Sequence, residues 1–140
     1  MEIPGLKFRK IIDPKGDNAG FLSLIFPNKN STHQALELIE NHGIEGCFYW
    51  FNNQEHYLKS WEHLFEFKRL NWLPKTTYEK WKKDSQRDFS DSNNIIEFSL
   101  SLLIKQNWSD QEVKTLAQTL KSIMTKSLQN VKIQKHSSSP

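Results

Sequence analysis

A chain of 140 residues is long enough for one domain with a real core and too short for two well-developed ones. Its net charge of +3 and pI of about 8.9 are mildly basic, which favours solubility but falls short of a nucleic-acid-binding signature. No run of about 18 apolar residues is present and the N-terminus has no long apolar stretch, so neither a membrane span nor a signal peptide is expected. Apolar content is modest at 36%, but 12% of residues are aromatic, five of them Trp, and such side chains can supply much of a core. The lone Cys47 rules out an internal disulfide. Set between Gly46 and Phe48, it reads as a small buried hydrophobe rather than a reactive thiol, which fits a reducing, cytoplasmic setting.

Leu6, Phe8 and Ile12 at even positions, with Lys7 and Arg9 between, predict a strand near Leu6 to Ile12. The turn-rich segment Asp13 to Gly20 then reverses the chain into a second strand, Phe21 to Phe26, stopped by Pro27. Ser31 and Gln34 have capping-box spacing, and Ala35, Leu38 and Ile39 share a face, predicting a helix over Thr32 to His42. Gly43 followed by Ile44 has the form of a Schellman stop, with Ile44 over Ile39. Gly46 to Phe51 is the third predicted strand, ending in Asn52 and Asn53.

Tyr57, Leu58, Trp61, Leu64 and Phe65 keep helical spacing and predict an amphipathic helix. Leu70 to Pro74 reads as a connector. Thr76 or Thr77 can cap a short helix bearing Tyr78 and Trp81, and Asp84 to Asn94 reads as a polar loop. The best-specified stretch follows. Phe98, Leu100 and Leu102 alternate with Ser99 and Ser101, predicting a strand over Ser99 to Ile104. Ser109 and Glu112 form a capping box, with Trp108 and Val113 placed as a hydrophobic staple. From there Val113, Leu116, Ala117, Leu120, Ile123 and Met124 hold one face of a helix over Asp110 to Leu128, with Lys114, Gln118, Lys121 and Thr125 opposite. Periodicity fades after Val131. The expectation is an α+β fold: one domain over residues 1–130, an antiparallel sheet of three to four strands covered by helices, and a disordered tail over 131–140.

The chemistry this composition can support is narrow. His56 and His63 lie seven residues apart on one predicted helix, about 10 Å by helix rise, too far to share a metal unaided. No C-x-x-C, H-E-x-x-H, hydrolase elbow or phosphate-cradling glycine loop is present. Lys68, Arg69, Lys75, Lys80, Lys82, Lys83 and Arg87 interleave with Trp72, Tyr78 and Trp81, a pattern that can bind single-stranded nucleic acid. Glu66, Glu79, Asp84 and Asp88 lie among them, and a solvated mixed-charge surface is the more economical reading. Tyr49, Trp50, Asn52, Asn53, His56 and Tyr57 form the candidate binding site, because amide, imidazole and phenol groups gather where a strand gives way to a helix. A polar-capped aromatic core and a polyol or sugar site are the two readings of that cluster.

The order of elements and three local strings resemble the C-terminal small domain of the DegT/StrS family of pyridoxal-phosphate-dependent sugar aminotransferases. The strings are Asp13 to Asp17 (DPKGD), Asn53 to Leu64 (NQEHYLKSWEHL) and Leu100 to Glu112 (LSLLIKQNWSDQE), and the likeness extends from about Leu6 to Lys126. They are similar to a branch acting on 8-amino sugars of the Kdo type, which implies lipopolysaccharide sugar biosynthesis. In such enzymes a preceding large domain carries the Schiff-base lysine, the acid facing the pyridine nitrogen and the phosphate-binding groups. None of these is recognisable in this sequence, so the resemblance implies no catalytic residue and no cofactor bound by this chain alone. It implies instead a partner, either a large-domain chain or a second copy, reached through an uncovered aromatic rim at the candidate site with Phe98 nearby. Phe98 stands where the family pattern has an Arg, removing a bidentate anchor for anions or hydroxyls. A free-standing interaction module and, with less support, a basic nucleic-acid-binding domain are the alternatives.

Overall fold

The computed structural model describes residues 3–53, 57, 60–61, 74–85 and 89–136. Four strands, β1 (Lys7–Phe8), β2 (Phe21–Ile25), β3 (Cys47–Phe48) and β4 (Ser99–Leu103), form one antiparallel sheet in the order β1-β2-β4-β3. Four helices accompany it among the described residues: α1 (Lys29–Asn41), α2 (Lys75–Ser85), α3 (Ser90–Glu97) and α4 (Asp110–His136). The expected α+β architecture is the observed one. None of the described helices is long and apolar enough to cross a membrane.

The centre of the sheet is the β2–β4 pair, with Leu22 opposite Leu102 and Leu24 opposite Leu100. Paired residues share a face, so these four leucines point together. Leu24, Leu100 and Leu102 are buried with Ala35 and Ile39 of α1 and Leu120, Ile123 and Met124 of α4, while Leu22 and Leu116 pack at the margin. Fully burying each large side chain contributes about 1.5–3 kcal/mol. Ser127, also fully buried, has no apolar substitute's freedom; its hydroxyl is satisfied by the Met124 carbonyl at 2.9 Å.

Several element boundaries differ from expectation for identifiable reasons. The α1 cap is Asn28, three residues before Ser31: the Asn28 side-chain oxygen accepts from the Ser31 N–H at 3.0 Å. Ser31 and Thr32 then lie inside the helix, their hydroxyls donating to the Asn28 carbonyl. The Schellman stop forms as read, with Gly43 N–H to the Glu40 carbonyl at 2.9 Å and Ile44 N–H to the Ile39 carbonyl at 3.2 Å. β1 spans only two residues of the expected Leu6 to Ile12. The segment Asp84 to Asn94, expected as a polar loop, instead contributes Asp84 and Ser85 to α2 and Ser90 to Asn94 to α3.

The capping box that starts α4 is present in both directions: the Ser109 N–H donates to Glu112 at 2.7 Å and the Glu112 N–H to Ser109 Oγ at 3.3 Å. The staple is another matter. Trp108 is half-buried and lines a surface groove, and Val113 is 47% exposed, so the pair stands outside the core. α4 also continues past Leu128 to His136, into the stretch expected as tail; residues 137–140 are outside the described set. The predicted helix around Tyr57 to Phe65 and the connector Leu70 to Pro74 fall mostly outside it as well.

Two glycines provide a comparative test of this backbone. Gly43 and Gly46 both have positive φ, +66° and +76°, but an added Cβ meets nothing at Gly43 and lies 3.2 Å from Leu103 Cβ at Gly46. Gly43→Ala is expected to cost about 1–2 kcal/mol from the left-handed backbone alone. Gly46→Ala should cost more, because β3 must also shift away from β4. Urea unfolding of the two variants gives the order directly, and equal losses would contradict the close approach.

Candidate functional site

The candidate cluster is built on the segment that leaves β3. Cys47 pairs with Leu102 and Phe48 with Ser101, so Cys47 faces the helices and Phe48 the opposite side of the sheet. The strand expected through Phe51 stops there. Trp50–Asn52 forms a 3-10 turn closed by Asn52 N–H to the Tyr49 carbonyl at 3.1 Å and Asn53 N–H to the Trp50 carbonyl at 3.0 Å.

The alternation before the turn sorts the aromatics into two groups. On the outer side Phe48 stacks on Trp50, with centroids 4.9 Å apart and planes 7° from parallel, and Phe21 of β2 meets both edge-on at 5.9 and 6.1 Å. On the helix side Tyr49 stacks against Phe51 at 5.8 Å, and Phe51 against Tyr57 at 4.8 Å. Five of the six candidates are among the described residues, and the alternation puts Tyr49 and Trp50 on opposite sides. Tyr49 and Tyr57 are linked through Phe51, Trp50 belongs to the outer group, Asn52 is exposed, and Asn53 is half-buried. His56 lies outside the described residues.

Tyr49 is buried and committed. Its hydroxyl donates to the Glu97 carbonyl at 3.1 Å and lies 3.2 Å from His33 Nε2, whose ring also meets it edge-on. Burial, with the Glu97 carboxylate nearby, pushes the phenol up to about 12. Lys29 of α1 completes this side, pairing with Glu97 at 2.8 Å and standing 5.6 Å over the Phe51 ring. His33, Lys29 and Glu97 were not signalled by sequence, because α1, the turn and α3 meet only through the fold.

Cys47 is half-buried, and burial together with Glu40 pushes its thiol up to about 11. A thiol held protonated is a poor nucleophile at neutral pH. Among the described residues no group of three or more His, Cys, Asp or Glu could hold a metal ion. In the basic segment, Lys75, Lys80 and Lys83 are exposed, with Glu79 4.0 Å from Lys75 one turn away.

A second concavity, of about 460 Å³, lies between the end of α1 and the first turns of α4 and is lined by Ile44, Glu45, Lys105, Trp108, Glu112 and Leu116 among others. Its titratable groups are engaged. Lys105 pairs with Glu45 at 3.8 Å, and the Ser109 hydroxyl and backbone N–H hold the Glu112 carboxyl below the usual carboxylate range. No catalytic constellation of nucleophile, base and orienting group is assembled among the described residues at either place.

No protein-family model matches the chain.

The raised pKa values of Cys47 and Tyr49 imply a pH dependence. Cys47 and Tyr49 keep their protons to higher pH when folded, to about 11 and about 12, than when unfolded. Their contribution to stability is thus complete below about pH 9 and lost as pH rises through the folded values. Unfolding free energy should fall on alkaline titration, and Tyr49→Phe should remove the upper part of that fall while leaving the lower part. At pH 8 the Cys47 thiol should react with an aromatic disulfide reagent many times more slowly in native than in urea-unfolded protein. Equal rates would contradict its burial.

Proposed function

We propose that this chain is a non-catalytic docking domain that acts as the small domain of a pyridoxal-phosphate-dependent sugar aminotransferase of the DegT/StrS kind, completing a large-domain chain in nucleotide-sugar or Kdo-type amino-sugar synthesis. The observation that carries the docking role is the outer aromatic group: Phe21 and Phe48 are 40% and 36% exposed while stacked with Trp50 into one apolar surface. Aromatics ordered against each other at the surface form a preorganised contact that a partner can cover at little entropic cost. The aminotransferase part of the reading rests on the three sequence strings and on a sheet-and-helix layout of the expected class.

The lysines whose side chains are described do not fit the cofactor itself. An aldimine lysine needs a desolvated pocket or a neighbouring cation to lower its pKa, and every lysine whose side chain is described is exposed. Binding of pyridoxal phosphate and the chemistry it supplies are therefore assigned to the large domain. What this chain would contribute is a wall. Tyr49, held by Glu97 and His33, fixes the turn, and the turn presents Asn52 outward as a hydrogen-bonding group toward a sugar hydroxyl. The free-standing interaction module is the second reading, favoured by the same exposed aromatics without any appeal to resemblance.

Two measurements bear on these readings. Purified protein mixed with pyridoxal phosphate and an amino donor should give no turnover, and stoichiometric, reducible attachment of the cofactor to one lysine would overturn the assignment. Mass in solution should increase when a DegT/StrS large-domain chain is added, and Trp50→Ala should weaken that complex about tenfold or more, as expected of an aromatic anchor. Indifference to the large domain would reject the aminotransferase reading and leave the independent module.

A further inference from the structure

α3 draws little of its stability from the core. It is eight residues long, too short to be helical in water without tertiary support. None of its side chains is buried: Asn93, Ile96 and Glu97, spaced three and four residues apart, are half-buried on one face, while Ile95 is 58% exposed. Phe89 stands at its N-cap, where it makes no side-chain capping bond. Among the described residues the main packing of α3 is against the 3-10 turn Trp50–Asn52.

The C-terminal end is tied down. Lys29 pairs with the Glu97 carboxylate at 2.8 Å, the Tyr49 hydroxyl donates to the Glu97 carbonyl at 3.1 Å, and the Ser99 hydroxyl donates to the Ile96 carbonyl at 3.3 Å. Phe98 follows with φ −100° and ψ 12°, and its carbonyl accepts from the Phe26 N–H at 2.7 Å where the sheet begins. Both partners of Glu97 have a second contact in place: the Tyr49 hydroxyl oxygen lies 3.2 Å from His33 Nε2, and Lys29 stands 5.6 Å over the Phe51 ring. Detaching Glu97 therefore leaves neither the hydroxyl nor the ammonium unpaired, and an unpaired polar group is the main cost of breaking such a bond.

We propose that α3 is a hinged lid on the turn that follows β3, pivoting at Phe98 and latched when Tyr49 and Lys29 take the carbonyl and carboxylate of Glu97. A hinge needs an element-terminal residue that absorbs a backbone change, and Phe98 joins this weakly held helix to the central strand β4. Opening costs less than unfolding the chain, because the leucines of β2 and β4 stay covered by α1 and α4. Closed, the lid engages the Tyr49 hydroxyl. Open, it releases that hydroxyl and the Lys29 ammonium together beside the turn that carries Asn52, so their access to solvent or ligand is set by a local motion. The lid goes beyond the docking role above and concerns this chain alone.

Native-state amide hydrogen exchange of the full chain, followed by NMR, tests this. The amides from Asn93 to Phe98 should share one opening free energy, below that of the β2 and β4 amides and nearly insensitive to low urea. The Phe26 N–H, on the far side of the hinge, should exchange with β2. Ile123→Val, a mild change in the core, should lower protection of β2 and β4 about two- to tenfold and leave α3 unchanged, since the closed and open lid lose the same contact. Tyr49→Phe should speed α3 exchange about fivefold, the effect of one hydrogen bond. Lys29→Met, which keeps an apolar stem over Phe51, should speed it by a smaller factor because Lys29 is half exposed. Thermal melting establishes that each variant remains folded. Protection of α3 equal to that of β2 and β4, a graded loss from Ser90 inward as at a fraying end, or a response of α3 to Ile123→Val would each overturn the proposal. So would α3 rates unchanged in both latch variants. None of these readouts involves a large-domain chain, so they stand or fall apart from the docking role.

Discussion

The β2–β4 pairing is the constraint from which the rest of this structure follows. Five residues of β2 lie opposite five of β4 in unbroken register, from Phe21 against Leu103 to Ile25 against Ser99. The two strands are distant in sequence, so closing that loop costs entropy before any reward arrives. The reward is that Leu22, Leu24, Leu100 and Leu102 are brought to one face, where α1 and α4 can cover them. A slip of one residue would turn all four outward and put Ser23 and Ser101 inside. Those serines now sit opposite each other on the outer face with their hydroxyl oxygens 3.5 Å apart.

The same register decides where chemistry can and cannot gather. β3 pairs with the free edge of β4, so the choice of face for Cys47 and Phe48 is inherited from Leu102 and Ser101. Cys47 and Tyr49 are drawn toward the helices, and both titratable groups are neutralised by burial. Phe48 and Trp50 are drawn to the outer side, where they meet Phe21. A single alternating strand thus separates a structural tyrosine from a surface aromatic group. At this site the hydroxyl of Tyr49 is already satisfied within the fold, by the Glu97 carbonyl and His33.

The sequence was most legible where side chains bond their own backbone within a few residues. The Ser109–Glu112 capping box and the Gly43–Ile44 stop are local motifs, and both form as read. The apolar stripe of α4 was legible from Leu116 onward for the same reason, whereas Val113 was not, because the first turn overhangs a groove that no local pattern reveals. The start of α1 misled because Ser31 and Asn28 both offer a capping oxygen, and Asn28 prevails by leaving Ser31 free to turn inward and be buried. The truncation of β3 was illegible, since Tyr49 to Phe51 contains no Pro or Gly to announce a turn after Phe48. The candidate site shows this most: its residues were grouped because amide, imidazole and phenol groups gather where a strand gives way to a helix, while the alternation of the short strand places Tyr49 and Trp50 on two sides.

The brevity of the edges determines how such a domain can meet a partner. β1 and β3, the two edge strands, are each two residues long, and β3 runs straight into a 3-10 turn. Strand addition needs a longer row of free N–H and C=O groups than either edge presents, so pairing through main-chain ladders is disfavoured. Contacts with another molecule would therefore fall to side chains, and the outer face offers aromatics held against one another. Covering them would leave the core intact, because the leucines that stabilise the fold lie on the other side of the sheet.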